Sequence, residues 1–204
     1  MPILATSNGL TSGDPVNDAF GSSTQTAGTA ITRAIPPRVG TRAHVSGFSY
    51  TAAATAHTVT MLTVLDTKSV ASEAAASQAV VALNSIPTAA DGSILAANDY
   101  LILQYEDGSW EPHLVSSLSG LNVTVSASFS KKILKGSTAY FMGAPGDHSN
   151  RQYTIDASQT FTIAGSTDRV CAAAATAKNQ PILVHSNNAT NAGILRWVAY
   201  SYAE

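Results

Sequence analysis

Apolar side chains recur at every second position over much of this chain, the period of an extended strand whose two faces meet different surroundings. The clearest case is Leu121, Val123, Val125 and Ala127 set against Asn122, Thr124, Ser126 and Ser128. Upstream, Tyr100–Tyr105 is a run of β-favouring residues, and Asp107-Gly108 behind it is a pair suited to a tight hairpin. The return strand starts at Trp110 and continues through His113, Leu114 and Val115. Ser119-Gly120 turns again, Lys131-Lys132 breaks the pattern, and Gly136 precedes a strand over Thr138–Met142. Connections of a few residues predict an antiparallel meander over 98–142.

The same texture extends in both directions. Ala43, Val45, Gly47 and Ser49 alternate with His44, Ser46, Phe48 and Tyr50, and Val59, Met61, Thr63 and Leu65 alternate with Thr58, Thr60, Leu62 and Val64. The second of these runs becomes apolar on both faces, which predicts a central, covered strand. The small residues of 51–56 are expected to close a hairpin between the two. Val70–Leu83 is rich in Ala and followed by Asn84 and Pro87, so it is the one helix candidate. Four further short strands are expected over Gln159–Ala164, Arg169–Thr176, Pro181–His185 and Ile194–Tyr202, the last closing or edging a sheet. About ten strands with at most one short helix predict an all-β protein, a mainly antiparallel β-sandwich or barrel. Residues 1–30 hold little to bury and read as an N-terminal extended arm, and 31–204 as the sandwich or barrel body. A sub-boundary falls near 84–97.

Composition narrows the function classes. Only 12% of residues are charged, 11 basic against 13 acidic, where an ordinary soluble domain has about one-quarter. Net charge is −2 and the pI near 6.2, so no global basic field exists to recruit nucleic acid or an anionic membrane. Low-polarity stretches fall short of the roughly 20 residues of a membrane span. Residues 1–20 lack the pattern of a secretory leader. The single cysteine, Cys171, cannot form an intrachain disulfide, in keeping with synthesis in a reducing cytoplasm.

Candidate chemistry is sparse. His44, His57, His113, His148 and His185 stand at none of the short spacings by which metal ligands share one element, so no metal site is assigned. Asp147-His148 lies on a loop after Gly143-Ala-Pro-Gly146, but no Gly-x-Ser-x-Gly elbow accompanies it. Glu106 and Asp107 are consecutive at a turn and read as solvated acids, not as a paired-carboxylate site. Phosphate-cradling glycine motifs are missing. No catalytic or cofactor-binding residue is therefore assigned, and the chain reads as a non-enzyme. The candidate partner contacts are Arg33, Arg38 and Arg42 around Pro36-Pro37, Lys131 and Lys132 in the basic cluster with Lys135, and Trp197 as an aromatic anchor.

Three segments carry a resemblance: Val39–Tyr50, Asn98–Tyr105 with Asp107-Gly-Ser-Trp110, and Ser186–Gly193. Together they resemble virion proteins of tailed bacteriophages, most of all the capsid decoration (cement) proteins. The resemblance is of texture over most of the chain and includes no fixed functional residues. It implies a virion structural protein, assembled in the host cytoplasm, that binds the outer head lattice and clamps neighbouring major capsid subunits. It also implies a homo-oligomer, with a trimer favoured. The alternative is a phage tail, baseplate or fibre component with a receptor-binding role; a β-sandwich carbohydrate-binding module or hydrolase ranks below both.

Overall fold

The computed structural model describes residues 15–25, 31–35, 40–147, 151–163, 173–187 and 193–203. These form fifteen strands and no helix. In chain order, the first four are β1 (Pro15–Gln25), β2 (Ile31–Ile35), β3 (Thr41–Ala52) and β4 (His57–Thr63). Next come β5 (Asp66–Ser69), β6 (Val80–Ala82), β7 (Tyr100–Gln104), β8 (Trp110–Ser119), β9 (Asn122–Val125) and β10 (Thr138–Gly143). The last five are β11 (Arg151–Ile155), β12 (Thr160–Ile163), β13 (Ala173–Ala174), β14 (Ile182–Ser186) and β15 (Gly193–Ala203). The chain divides into two compact units, Met1–Thr63 with Ser149–Glu204, and Val64–His148. All strand pairing is antiparallel.

The first unit is a two-sheet sandwich. One sheet runs β1-β15-β3-β12 with β13 also on β3, and the other runs β11-β4-β14-β2. Val45, Phe48, Tyr50 and Leu195 from the first sheet meet Val59, Met61, Ile182 and Val184 from the second in one core. Phe48, Tyr153 and Phe161 stack edge-on or tilted, with ring centroids 4.8 to 5.6 Å apart. β4 is the covered central strand that its doubly apolar pattern predicts. Val59 and Met61 join the core, and Leu62, on the opposite face, is also fully buried.

Two expectations about this unit are corrected. β3 and β4 do not form a hairpin, because the small residues between them carry the chain from one sheet to the other. β15 is not an edge strand either. It lies between β1 and β3, paired with β3 from Gly193↔Ala52 to Ala203↔Thr41. The strand beside it is β1, from Pro15↔Tyr202 to Gln25↔Gly193, drawn from the polar segment expected to be an arm. Backbone hydrogen bonding can build an edge strand from residues with little to bury, so hydrophobic alternation does not reveal one.

The second unit is a small closed barrel. Its sheet runs β5-β10-β7-β8-β9-β6. The outermost two strands then meet at their ends: Val70 bridges Leu83, Ala71 N–H donates to Ala82 C=O (2.8 Å), and Asn84 N–H donates to Ser69 C=O (3.0 Å). Closure removes the unpaired edges that an open sheet would expose. The interior is filled by Val81, Leu83, Leu101, Leu103, Val115, Val123, Phe129, Ile133 and Phe141 among others.

The helix expected over Val70–Leu83 is not there. Val70, Ala74, Val81 and Leu83 are all buried, but on extended backbone, and Ala74 bridges Ile133. Ser77 has φ of 69°, which no continuing helix allows. Alanine's helix propensity is a weak prior, and the apolar positions of this segment were too few for a helical stripe; core contacts decided instead. The expected meander holds from β7 to β9, after which β10 returns to pair with β7, and β9 pairs with β6.

Candidate functional site

Three arrangements of polar side chains stand out, two of them buried. In the barrel, Tyr105 follows β7 and His113 lies on β8. The Tyr105 hydroxyl donates to Glu111 Oε2, and His113 Nε2 sits 2.9 Å from the same hydroxyl oxygen. Ser130 Oγ donates to Glu111 Oε2 at 2.6 Å, and the Ser130 N–H donates to the Tyr105 oxygen at 3.3 Å. The Tyr105 proton is committed to Glu111, so His113 Nε2 carries a proton and donates it to Tyr105. Phe129 meets the His113 ring edge-on at 5.2 Å.

The electrostatics follow from burial and from this chain of donors. Burial, reinforced by the hydrogen bond to Glu111, pushes the Tyr105 phenol up to about 12. Burial works against ionised Glu111, yet the Ser130 and Tyr105 hydroxyls outweigh it and hold that carboxyl below the ordinary glutamate range. Burial pushes His113 down, opposed by the negative charge on Glu111. The Tyr105 hydroxyl thus ties together Glu111, His113 and Ser130.

In the sandwich, Ser186 Oγ donates to the Tyr50 oxygen at 2.9 Å, and the Tyr50 hydroxyl pairs with His57 Nδ1. Tyr50, His57 and Ser186 are all buried. The other ring nitrogen of His57, Nε2, is a buried atom with no hydrogen-bond partner. Gly193 covers the pair. A Cβ there would run into the Tyr50 hydroxyl and lie 2.7 Å from its Cζ.

The third arrangement is the outer surface of β6, β8 and β9. Register places Ser117, Thr124 and Val80 in one row across the three strands, and Ser119, Asn122 and Ala82 in another. The row between, Leu118, Val123 and Val81, faces the core. Ser117, Ser119, Asn122, Val80 and Leu121 are exposed, Leu121 by 47% and Val80 by 45%. β6, β9 and the part of β8 after Glu111 come from two stretches, 74–90 and 112–130, that contain no Asp, Glu, Lys or Arg. The strand order thus brings segments of these two stretches side by side.

The predicted contact residues are dispersed. Arg33 is exposed on β2, its Nη1 donating to Thr32 C=O at 3.2 Å. Arg42 is half-buried on β3, its Nε donating to Ala175 C=O. Arg38 and the Trp197 side chain lie outside the described residues, as do His148 and Cys171. Lys131 Nζ pairs with Asp107 Oδ2 at 2.6 Å, and Lys132 Nζ with Glu73 Oε2 at 2.8 Å. Asp107 also accepts from the Ser109 N–H and hydroxyl, and with Lys131 these hold its carboxyl far below the usual aspartate range. Among the described residues no group of three or more His, Cys, Asp or Glu is placed to hold a metal ion.

The reading of residues one by one missed both buried clusters and the neutral surface. Tyr50 with His57, and Tyr105 with His113, are Tyr–His pairs seven and eight residues apart, the one signal that points to them. The neutral surface was open to inspection as two charge-free stretches; their adjacency needed the strand order.

No protein-family model and no curated protein matches this chain. Among solved structures, similarity is recorded to VP17, a capsid protein of bacteriophage P23-77, at 10% identity, covering 91% of this chain and 99% of that one, with a TM-score of 0.23. The structures of infectious bursal disease virus strains Gx and Gt follow at 12% and 11% identity, each covering 99% of this chain and 46% of the other, with TM-scores of 0.14. Scores this low do not establish a shared fold.

Proposed function

We propose that this chain is a non-enzymatic virion structural protein, a decoration or cement protein that binds the outer head lattice and holds neighbouring major capsid subunits together. The observation that carries the reading is the uncharged outer surface shared by β6, β9 and the later half of β8, with Ser117, Asn122 and Val80 exposed on it. Interface cores are depleted in charge, because burying an unpaired charge costs far more than burying a hydrogen-bonded hydroxyl or amide. Ser, Thr and Asn on a rigid sheet can meet a similar surface closely and keep their hydrogen bonds. A protein that binds only the assembled lattice stabilises it by mass action, and the lattice symmetry multiplies modest contacts. The homo-oligomer, trimer favoured, belongs to the same proposal.

The test is co-sedimentation with empty heads. Wild-type protein should pellet with them, and the exposed substitutions Ser117→Lys and Asn122→Asp should each weaken pelleting at least about tenfold, the scale of one unpaired charge placed in an interface. Attachment to tails or fibres but not heads would replace this reading with that of a receptor-binding tail component.

A further inference from the structure

We propose that the partner face met by the outer surface of β6, β9 and the later half of β8 is itself uncharged, a hydrogen-bonding surface of hydroxyls, side-chain amides and backbone groups. Attachment is then indifferent to salt and to the sign of any charge added to the contact. The inference rests on the head-lattice reading and says which kind of lattice surface fits.

Charge is segregated within the barrel. Val64–His148 carries eight acids and four lysines, yet none of them falls in 74–90 or 112–130. Both rows of the surface, Ser117–Thr124–Val80 and Ser119–Asn122–Ala82, are neutral throughout. Ser117, Ser119, Asn122 and Val80 are exposed, with Thr124 and Ala82 half-buried beside them. The β8 bulge next to these rows is tied down, Ser116 Oγ donating to Thr124 C=O at 3.1 Å. Three of the four lysines are paired with acids of the same unit: Lys68 with Asp66 at 2.9 Å, Lys131 with Asp107 at 2.6 Å and Lys132 with Glu73 at 2.8 Å.

Such a surface selects its partner by desolvation. A hydroxyl or amide on the facing protein loses water and regains a hydrogen bond from Ser117, Ser119 or Asn122, each able both to donate and to accept. A carboxylate or ammonium loses far more and meets no opposite charge there. Val80, exposed by 45%, gains only from a neutral or apolar neighbour. A basic partner face would find its carboxylates elsewhere on the barrel, where Glu106, Asp107 and Glu111 gather at the Tyr105 turn. An acidic one would meet a unit whose acids outnumber its lysines.

Salt dependence separates these cases. Dissolved ions screen exposed charges over about 10 Å at 0.1 M, so a contact between opposed charges weakens as salt rises. A neutral contact has nothing to screen.

Co-sedimentation of the full chain with empty heads, titrated to a dissociation constant at about 50 mM and about 1 M sodium chloride, tests this. The wild-type constant should rise by less than about threefold at high salt, where opposed charges would lose at least about tenfold. At low salt, Ser117→Lys and Ser117→Glu should weaken attachment alike, each at least about tenfold and within about threefold of one another. High salt should restore neither. Asn122→Lys and Asn122→Asp repeat the comparison in the other row, should a Ser117 variant not melt with the wild type. Unequal effects of the two signs, or wild-type protein released by salt, would overturn the inference and leave the head reading standing. Wild-type protein that pellets with heads at neither salt concentration removes the head reading and this inference with it.

Discussion

Gly193 and Tyr50 show how much one missing side chain can matter. Tyr50 is fully buried, its hydroxyl is fixed by Ser186 and His57, and the space it uses is what a Cβ at Gly193 would occupy. His57 Cε1, 3.1 Å from that Cβ position, leaves little room to yield. Gly193→Ala should therefore destabilise the sandwich by about 1–3 kcal/mol in urea unfolding, the usual cost of overpacking. Adding Tyr50→Phe should not restore wild-type stability, since Cζ stays 2.7 Å from the new Cβ and His57 Nδ1 and Ser186 lose their shared partner. In the barrel, Tyr105→Phe leaves His113 Nε2 without its acceptor and removes one donor from Glu111. A loss of about 1–3 kcal/mol is expected, read as a lower denaturation midpoint at unchanged m-value. Neither cluster was visible in composition or periodicity, because a lone Tyr and a lone His near a turn are ordinary residues until the chain folds them together.

At the scale of elements, turns were the most legible feature and strand order the least. Asp91-Gly-Ser93 and Asp107-Gly-Ser109 fold alike. In each, the Asp carboxylate accepts from the Ser N–H and hydroxyl, and the Gly N–H donates to the carbonyl three residues back. The glycines have φ of 89° and 80°, and nothing lies within 4 Å of either absent Cβ. Gly92→Ala and Gly108→Ala should thus cost only the backbone penalty, about 1–2 kcal/mol, and the two values should agree closely in thermal or denaturant unfolding. A turn is set by its own few residues, so Asp107-Gly108, Ser119-Gly120 and Gly136 could be placed from sequence. Which strand pairs with which depends on distant residues, and so the β3–β4 hairpin, the edge position of β15 and the place of β10 were misread. The Val70–Leu83 helix failed for a related reason: its alanines favour a helix locally, whereas Val70, Val81 and Leu83 gain more by lining the barrel.

For the whole molecule, the all-β class followed from alternation repeated along the chain, a signal that survives errors in any one element. The charge-poor composition was equally plain, but its meaning was not. Only the order β8-β9-β6 shows that strands from the uncharged stretches 74–90 and 112–130 are neighbours, while Asp107, Glu111, Lys131 and Lys132 gather around the Tyr105 turn. The partner contacts proposed from sequence were five cations and Trp197; of these, Lys131 and Lys132 are held in ion pairs within the chain, and surface pairs of this kind add little by themselves. The proposed contact is the neutral surface. Its most direct test is binding to empty heads by wild-type protein and by the Ser117→Lys variant, each first shown to melt at the same temperature. The prediction is a full complement of wild-type protein on the particles and a strong loss with the lysine. Equal occupancy by both, or a wild-type protein that stays in the supernatant, would contradict it.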